Sequence, residues 1–101
     1  MQKLPLDFYT REDTLLVAQE LLGKTLVVPD KNGNRVSGMI VETEAYQGPQ
    51  DKAAHSHNNL RTKRTEIMFH EGGVAYVFFV YGMYFQFNVV VGKEDVPHAI
   101  L

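Results

Sequence analysis

The stretch YVFFVYGMYFQFN at residues 76–88 constrains the fold more than any other part of the sequence. It holds seven of the eleven aromatic residues of the 101-residue chain. A glycine pair precedes it and Gly82 interrupts it, so the pattern predicts two strands, at 74–80 and 84–91. Aromatic strands most often form plain core, but a face of rings beside polar groups can also hold a flat ligand.

Side-chain alternation along the second strand separates two faces. The predicted core face consists of Phe85, Phe87, Val89 and Val91. The opposite face consists of Tyr84, Gln86 and Asn88. Rings beside one Asn would suit a planar ligand that forms hydrogen bonds, such as a nucleobase.

The remaining patterns predict one long helix, one hairpin and one short helix. TREDTLLVAQELLGK predicts a helix capped by Thr10, with Asp13 completing a capping box and Gly23 ending it. TLVVPDKNGNRVSGMIVETEAY predicts a hairpin that turns at Asn32-Gly33. In TKRTEIMF, Thr62 is expected to cap a short helix. One helix followed mostly by strands predicts a single α+β domain with a largely antiparallel sheet.

GMIVETEAY carries two carboxylates on one face, if it is a continuous strand. That face consists of Ile40, Glu42, Glu44 and Tyr46. The face expected to point into the core consists of Met39, Val41 and Ala45. Carboxylates are costly to bury unpaired, so Glu42 is expected to face solvent. Glu44 lies beside a Tyr and a long polar loop, and a carboxylate near rings that restrict water can serve as a general base.

Composition narrows the function classes. The net charge of −2 argues mildly against tight nonspecific binding to nucleic acid, and the basic cluster RTKR at 61–64 is typical of a solvated loop. The chain has no Cys, which fits a reducing cytoplasm. Its longest apolar run, VAYVFFVYGMYF, is too short to span a bilayer as a helix. The ending DVPHAIL still reads as a strand, so we expect a fragment of a longer chain.

His55 and His57, in AAHSH, could ligate a metal with Glu44 as third ligand. The sequence has no HExxH motif and no Asp close to the pair. Two ordinary loop histidines are therefore the favoured interpretation, and no metal is expected.

Four blocks resemble one known family in their order and spacing: GMIVETEAYQGPQDKAAHS, TKR, MF and YVFFVYGMYFQFNVV. This is the alkyladenine DNA glycosylase family, or mammalian-type 3-methyladenine DNA glycosylases. The resemblance runs from about Leu6 to Leu101 and covers about the N-terminal half of such an enzyme. Residues 1–101 are therefore expected to be a partial domain of this type, with a curved, mostly antiparallel sheet, an N-terminal helix and a projecting β-hairpin.

The resemblance also implies an activity. Such an enzyme flips alkylated or deaminated purines out of double-stranded DNA and hydrolyses the N-glycosidic bond, leaving an abasic site. It is expected to act as a monomer, without a cofactor and away from membranes, in the cytoplasm, and at the nucleoid if the source is a bacterium. The lesion remains open among 3-methyladenine, 7-methylguanine, hypoxanthine and ethenoadenine.

Site residues follow from the resemblance. Glu44 matches the general base that activates water. Residues that match the base-binding pocket are Tyr46, His55, Phe78 and Asn88. Residues that match DNA intercalation and groove contacts are Tyr81, Met83 and Tyr84, and those that match phosphate contacts are Thr62 and Arg64. Phe78 stands where many members carry Tyr, so stacking is kept and a hydroxyl contact is lost. Asn88 matches the Asn that excludes the amino group of guanine.

Three other interpretations remain open, of which the first is a metal-dependent hydrolase that uses His55, His57 and Glu44. The second is a noncatalytic module that stacks single-stranded bases on its aromatic face. The third is a truncated remnant without activity.

Overall fold

The computed structural model describes residues 2–48, 50–51, 54, 58 and 61–101. Its helices are α1 (Leu6–Tyr9), α2 (Thr14–Leu21) and a 3-10 helix at Glu66–Phe69. Its strands are β1 (Thr25–Pro29), β2 (Arg35–Met39), β3 (Ala45–Gln47), β4 (Ala75–Val80), β5 (Tyr84–Val91) and β6 (His98–Ile100). The predicted α+β class and the strand pair around Gly82 are confirmed. None of the helices in this described part is long and apolar enough to cross a membrane.

The strands form two antiparallel sheets. β1 and β2 form a hairpin by themselves, and the predicted turn places Gly33 at a φ of 84°. The other sheet has the order β3-β6-β5-β4, so the short β6 lies between β3 and β5. Ala99 of β6 pairs with Tyr46 on one side and with Val90 on the other. β6 therefore connects the strand that carries Tyr46 to the aromatic hairpin.

Alternation along β5 and β6 builds a core on each face of this sheet. Val91 and Ile100 pack with α2, in a buried cluster with Val17, Ala18 and Leu21. Val90 and Ala99 pack on the other face, in a buried cluster with Met68, Phe69 and Tyr76. The sheet is thus covered by α2 on one side and by the 3-10 helix on the other.

Two predicted helix caps are wrong. Thr10 ends α1, and α2 is capped by Asp13, whose Oδ1 accepts a hydrogen bond from the Leu16 N–H at 3.1 Å. The segment before Asp13 contains a separate short helix, α1. The predicted helix therefore begins only at Thr14, as α2, and not at Thr10. Thr62 lies one turn before the 3-10 helix, which Thr65 precedes as N-cap.

Two predicted core faces are only partly correct: Ala45 on the first, and Val89 and Val91 on the second, pack in or against the α2 cluster as predicted. Met39 and Val41 are 68% and 81% exposed, whereas Ile40 packs against the α2 cluster. The alternation fails because β2 ends at Met39 and β3 begins only at Ala45. Glu42 is exposed, as expected.

Phe85 and Phe87 were also predicted to be core and are 73% and 45% exposed. Val91, on the same strand face, is fully buried under α2. The cover that α2 gives to Val91 therefore does not extend along β5 to Phe87 and Phe85.

His98 ties α2 to β6. Its Nδ1 lies 2.7 Å from Oγ1 of Thr14, which is 1% exposed, and the ring also hydrogen-bonds the Gly48 backbone beyond β3. Burial lowers the pKa of His98 below its ordinary value of 6.5, and the Gly48 bond opposes this shift. The folded chain therefore takes up this proton less readily than the unfolded chain.

We expect His98→Gln to weaken the acid sensitivity of folding. In the parent chain, the free energy of unfolding should fall as pH drops below about 6.5, because the unfolded state then binds the extra proton first. Gln keeps hydrogen-bonding capacity but does not titrate. Urea unfolding at about pH 7.5 and about pH 5.5 measures the difference, with the exposed His70→Gln as control. An unchanged pH dependence in His98→Gln would contradict this role.

Candidate functional site

An open cleft of about 190 Å³ lies on the face of the four-stranded sheet that the 3-10 helix covers. Its lining residues are Tyr46, Ala54, Met68, Tyr76, Phe78, Val80, Tyr81, Gln86 and Asn88. The cleft therefore brings together the predicted site residues Tyr46, Phe78, Tyr81 and Asn88. Two larger cavities lie on the opposite face of the hairpin and contain none of these four residues.

The register of β4 and β5 explains why rings and amides meet in the cleft. Tyr76 pairs with Asn88 and Phe78 pairs with Gln86, so all four side chains point to one face. The Tyr76 and Phe78 rings lie 5.2 Å apart between centroids, at an angle of 41°. The cleft consequently has an aromatic wall on β4 and an amide wall on β5.

Asn88 contributes a buried polar group to the cleft. It is 2% exposed, and its Nδ2 has no hydrogen-bond partner among the residues that the structure describes. A buried donor without an acceptor costs about 1–3 kcal/mol. A water molecule or a ligand acceptor at this position would remove that cost.

Glu44 stands at the edge of the cleft and is not one of its lining residues. Two backbone hydrogen bonds of 2.8 Å join it to Leu101, which extends the pairing of β3 with β6 by one residue. Its side chain is exposed. Burial raises the pKa of the Tyr46 phenol, and the negative charges of Glu44 and Asp51 raise it further. The negative charge of Glu44 is therefore felt at the Tyr46 phenol.

The tip of the hairpin projects Tyr81 into solvent. Tyr81 and Gly82 have φ angles of 54° and 66°, and the Met83 N–H donates to the Val80 carbonyl at 3.1 Å. Tyr81 is 88% exposed, Met83 68% and Tyr84 61%. A left-handed conformation is unfavourable for a Tyr, by about 1–2 kcal/mol.

Arg64 reaches the aromatic wall, whereas Thr62 is held in a turn. The guanidinium carbon of Arg64 lies 5.7 Å from the centroid of the Phe78 ring. Arg64 also hydrogen-bonds the Tyr76 phenol, which opposes the rise that burial causes in the pKa of Tyr76. The Thr62 hydroxyl accepts from the Thr65 N–H at 3.2 Å. Arg61, from the same basic cluster, is paired with two carboxylates.

His55 and His57 lie outside the described residues, so the structure does not place the predicted His55 base contact. Within residues 2–48, 50–51, 54, 58 and 61–101, no three His, Asp or Glu side chains come close enough to hold a metal ion.

Sequence reasoning placed Gln86 with Asn88 on one face but missed four lining residues of the cleft: Ala54, Met68, Tyr76 and Val80. Two of them could have been found, because alternation along β4 places Tyr76 and Val80 with Phe78. Met68 comes from the 3-10 helix and carries no such signal.

Comparison with known proteins assigns the chain to a class of DNA repair proteins. Residues 7–101 match the family model described as methylpurine-DNA glycosylase, so the chain belongs to this family. The family predicted from the sequence motifs is thereby confirmed.

Similar proteins carry the name "Putative 3-methyladenine DNA glycosylase". The chain is 54% identical over 101 residues to the protein so named from Clostridium novyi, and this match covers 100% of the chain and 49% of that protein. It is 50% identical over 98 residues to the one from Chlamydia abortus, with 97% of the chain and 51% of that protein covered. The chain thus spans about half the length of the curated relatives it matches.

Proposed function

We propose that the chain forms the base-binding part of a DNA glycosylase that releases alkylated or deaminated purines from double-stranded DNA. The observation that carries this proposal is the cleft itself, in which Tyr46, Phe78 and Asn88 meet beside the exposed Tyr81. Rings on two sides and an amide on the floor suit a flat base with polar edges. Family membership supports the same chemistry.

Access to the base requires that it leave the duplex. Unstacking and unpairing cost a few kcal/mol, and least for a damaged base. Tyr81 is suited to fill the gap, because an inserted ring restacks with the neighbouring bases. Its exposure and its unfavourable φ both fit a side chain that is held ready for a partner. Arg64 lies at the cleft with a positive charge that suits the phosphate of the flipped nucleotide.

Many alkylated purines are cationic, and an aromatic wall holds a cation by roughly 0.5–2 kcal/mol beyond area burial. Positive charge also makes the base a good leaving group. The nitrogen of the base takes the electron pair of the N-glycosidic bond, and the sugar develops oxocarbenium character that a carboxylate stabilises.

In this proposal Glu44 accepts a proton from the water that attacks the sugar carbon. The water oxygen forms the new bond to that carbon, and the products are an abasic sugar and the free base. Only water is consumed, so no cofactor is needed. No Lys occurs in GMIVETEAY around Glu44 or in YVFFVYGMYFQFNVV around Asn88, so a Schiff-base step that would nick the DNA is not proposed.

Glu44→Gln should abolish base release and leave affinity for lesion DNA unchanged. A general base contributes about 100-fold or more to the rate. The rate of base release is measured as single-turnover release of hypoxanthine, in a chimera that joins this chain to the remaining half of the Clostridium novyi relative. Glu42→Gln, an exposed carboxylate two residues away, is the matched control. Full release by Glu44→Gln would remove Glu44 from the chemistry, and release by neither parent nor variants would favour a noncatalytic module.

Tyr81→Asn should weaken binding to lesion DNA without destabilising the protein. Asn tolerates the left-handed conformation better than Tyr, so folding should be unchanged or slightly favoured. Loss of the stacking ring should cost about 1–3 kcal/mol of binding, or about 5- to 150-fold in Kd. Fluorescence anisotropy with hypoxanthine-containing duplex measures Kd, and thermal unfolding measures stability. An unchanged Kd in a folded variant would refute the role of Tyr81 in filling the gap in the duplex.

Asn88→Ser should relax discrimination against normal guanine. The shorter side chain leaves room for the guanine amino group, and a change of about 1–3 kcal/mol corresponds to about 5- to 150-fold in the ratio of guanine to hypoxanthine release. Gln86→Ser, on the same strand face but half-buried, is the control and should change the ratio less. If Asn88→Ser remains folded and releases no more guanine than the parent, Asn88 is not the selective group.

A further inference from the structure

The hairpin face opposite the cleft is apolar and largely uncovered. We call it the outer face; its residues are Ala75, Val77, Phe79, Phe85, Phe87 and Val89. Phe79 and Val77 are 51% and 50% exposed, less than Phe85 and similar to Phe87. A sheet face that meets water normally alternates with polar residues on the solvent side. The outer face has no polar side chain at any of its positions.

The outer face continues into a trough between the two sheets. Two cavities, of about 570 and about 630 Å³, share Leu4, Tyr9, Phe87 and Val89 in their linings and so form one trough. Its far wall is the β1–β2 hairpin with the residues that follow, and the exposed apolar residues there are Leu26, Val28, Val36, Met39 and Val41. The charged side chains in the lining are Lys3, Lys24 and Glu42.

An apolar surface of this extent indicates a protein partner. Single exposed apolar residues are ordinary, but contiguous patches larger than a few hundred Å² are rare on monomers and mark interfaces. The few charges in the trough require that this partner present an apolar surface too.

We infer that the trough binds the polypeptide that corresponds to the remaining half of the full-length relatives. Those relatives are about twice as long as this chain, so each has a second half of similar size to bury against the first. Leu101 lines the trough and its backbone is hydrogen-bonded to that of Glu44, so a polypeptide bound in the trough would lie next to the strand that carries Tyr46.

Association of the two halves tests this inference separately from the proposed chemistry, because it needs no DNA and no base release. The chain and the remaining half of the Clostridium novyi relative are co-expressed, with a purification tag on that half only. We expect co-purification as a 1:1 complex, measured by light scattering. Phe87→Glu should lower the amount of chain that co-purifies with the tagged half by at least about tenfold. Leu15→Glu, at a 54% exposed position of α2 outside the trough, should leave it unchanged.

Cysteine labelling gives a second measurement that does not depend on the charged variants. The chain has no Cys, so Phe87→Cys and Leu15→Cys each carry one thiol. Mass spectrometry of the chain should show slower labelling of Phe87→Cys in the complex, by about tenfold or more, and equal labelling of Leu15→Cys. Absence of a complex would overturn the inference. So would equal labelling of Phe87→Cys with and without the partner, or a homodimer of this chain that Phe87→Glu dissociates.

Discussion

The antiparallel register of β4 and β5 determines what each face of the hairpin can do. Tyr76 opposite Asn88 and Phe78 opposite Gln86 place rings and amides together on the cleft side. The three alternate pairs, Ala75–Val89, Val77–Phe87 and Phe79–Phe85, are all apolar and point to the outer face. A slip of one residue on either strand would move its side chains to the wrong face, so pairing, cleft and outer face are set together. The buried pairing of Val90 with Ala99 fixes β5 against β6 and thereby against the strand of Tyr46.

Two unfavourable features lie at the same cleft. Asn88 buries an amide donor without a partner among the described residues, and Tyr81 holds a left-handed backbone while its ring is exposed. The unpaired donor costs about 1–3 kcal/mol and the left-handed Tyr about 1–2 kcal/mol. Local cost without local benefit is typical of binding sites, where the ligand supplies the missing interaction. Both features are explained if the cleft receives a polar-edged base and the turn receives a gap in stacked DNA, as proposed.

The sequence predicted the parts of the fold that depend on neighbouring residues. Gly82 and the alternation around it were sufficient for β4 and β5, and Gly23 marked the end of α2. Faces and caps were predicted less well, because they depend on where an element ends. Met39 and Val41 were assigned to the core because the alternation was assumed to be continuous, whereas β2 ends at Met39 and β3 begins only at Ala45. Phe85 and Phe87 were assigned to the core because residue type indicates a preference for burial and cannot show whether a covering layer is present.

The candidate site was predicted mainly by family resemblance. Alternation alone gave Asn88 and Gln86 on a polar face, but it could not show that Tyr46, from a distant strand, meets them across β6. That contact depends on the sheet order β3-β6-β5-β4, which no local pattern encodes. Tyr76 was missed because one more aromatic residue in a strand is indistinguishable from core, and it is in fact 5% exposed while also lining the cleft.

The proposed function places a purine, turned out of the duplex, in the cleft. A crystal structure would show this, with the chimera bound to DNA that contains one 2′-fluoro-substituted hypoxanthine nucleotide, which resists cleavage because fluorine disfavours the oxocarbenium-like state. We expect the base between Tyr46 and Phe78, one of its acceptor atoms within hydrogen-bond distance of Asn88 Nδ2, and the Tyr81 ring in the vacated stack. A hypoxanthine still paired in the duplex, or DNA bound along the outer face with the cleft empty, would contradict it.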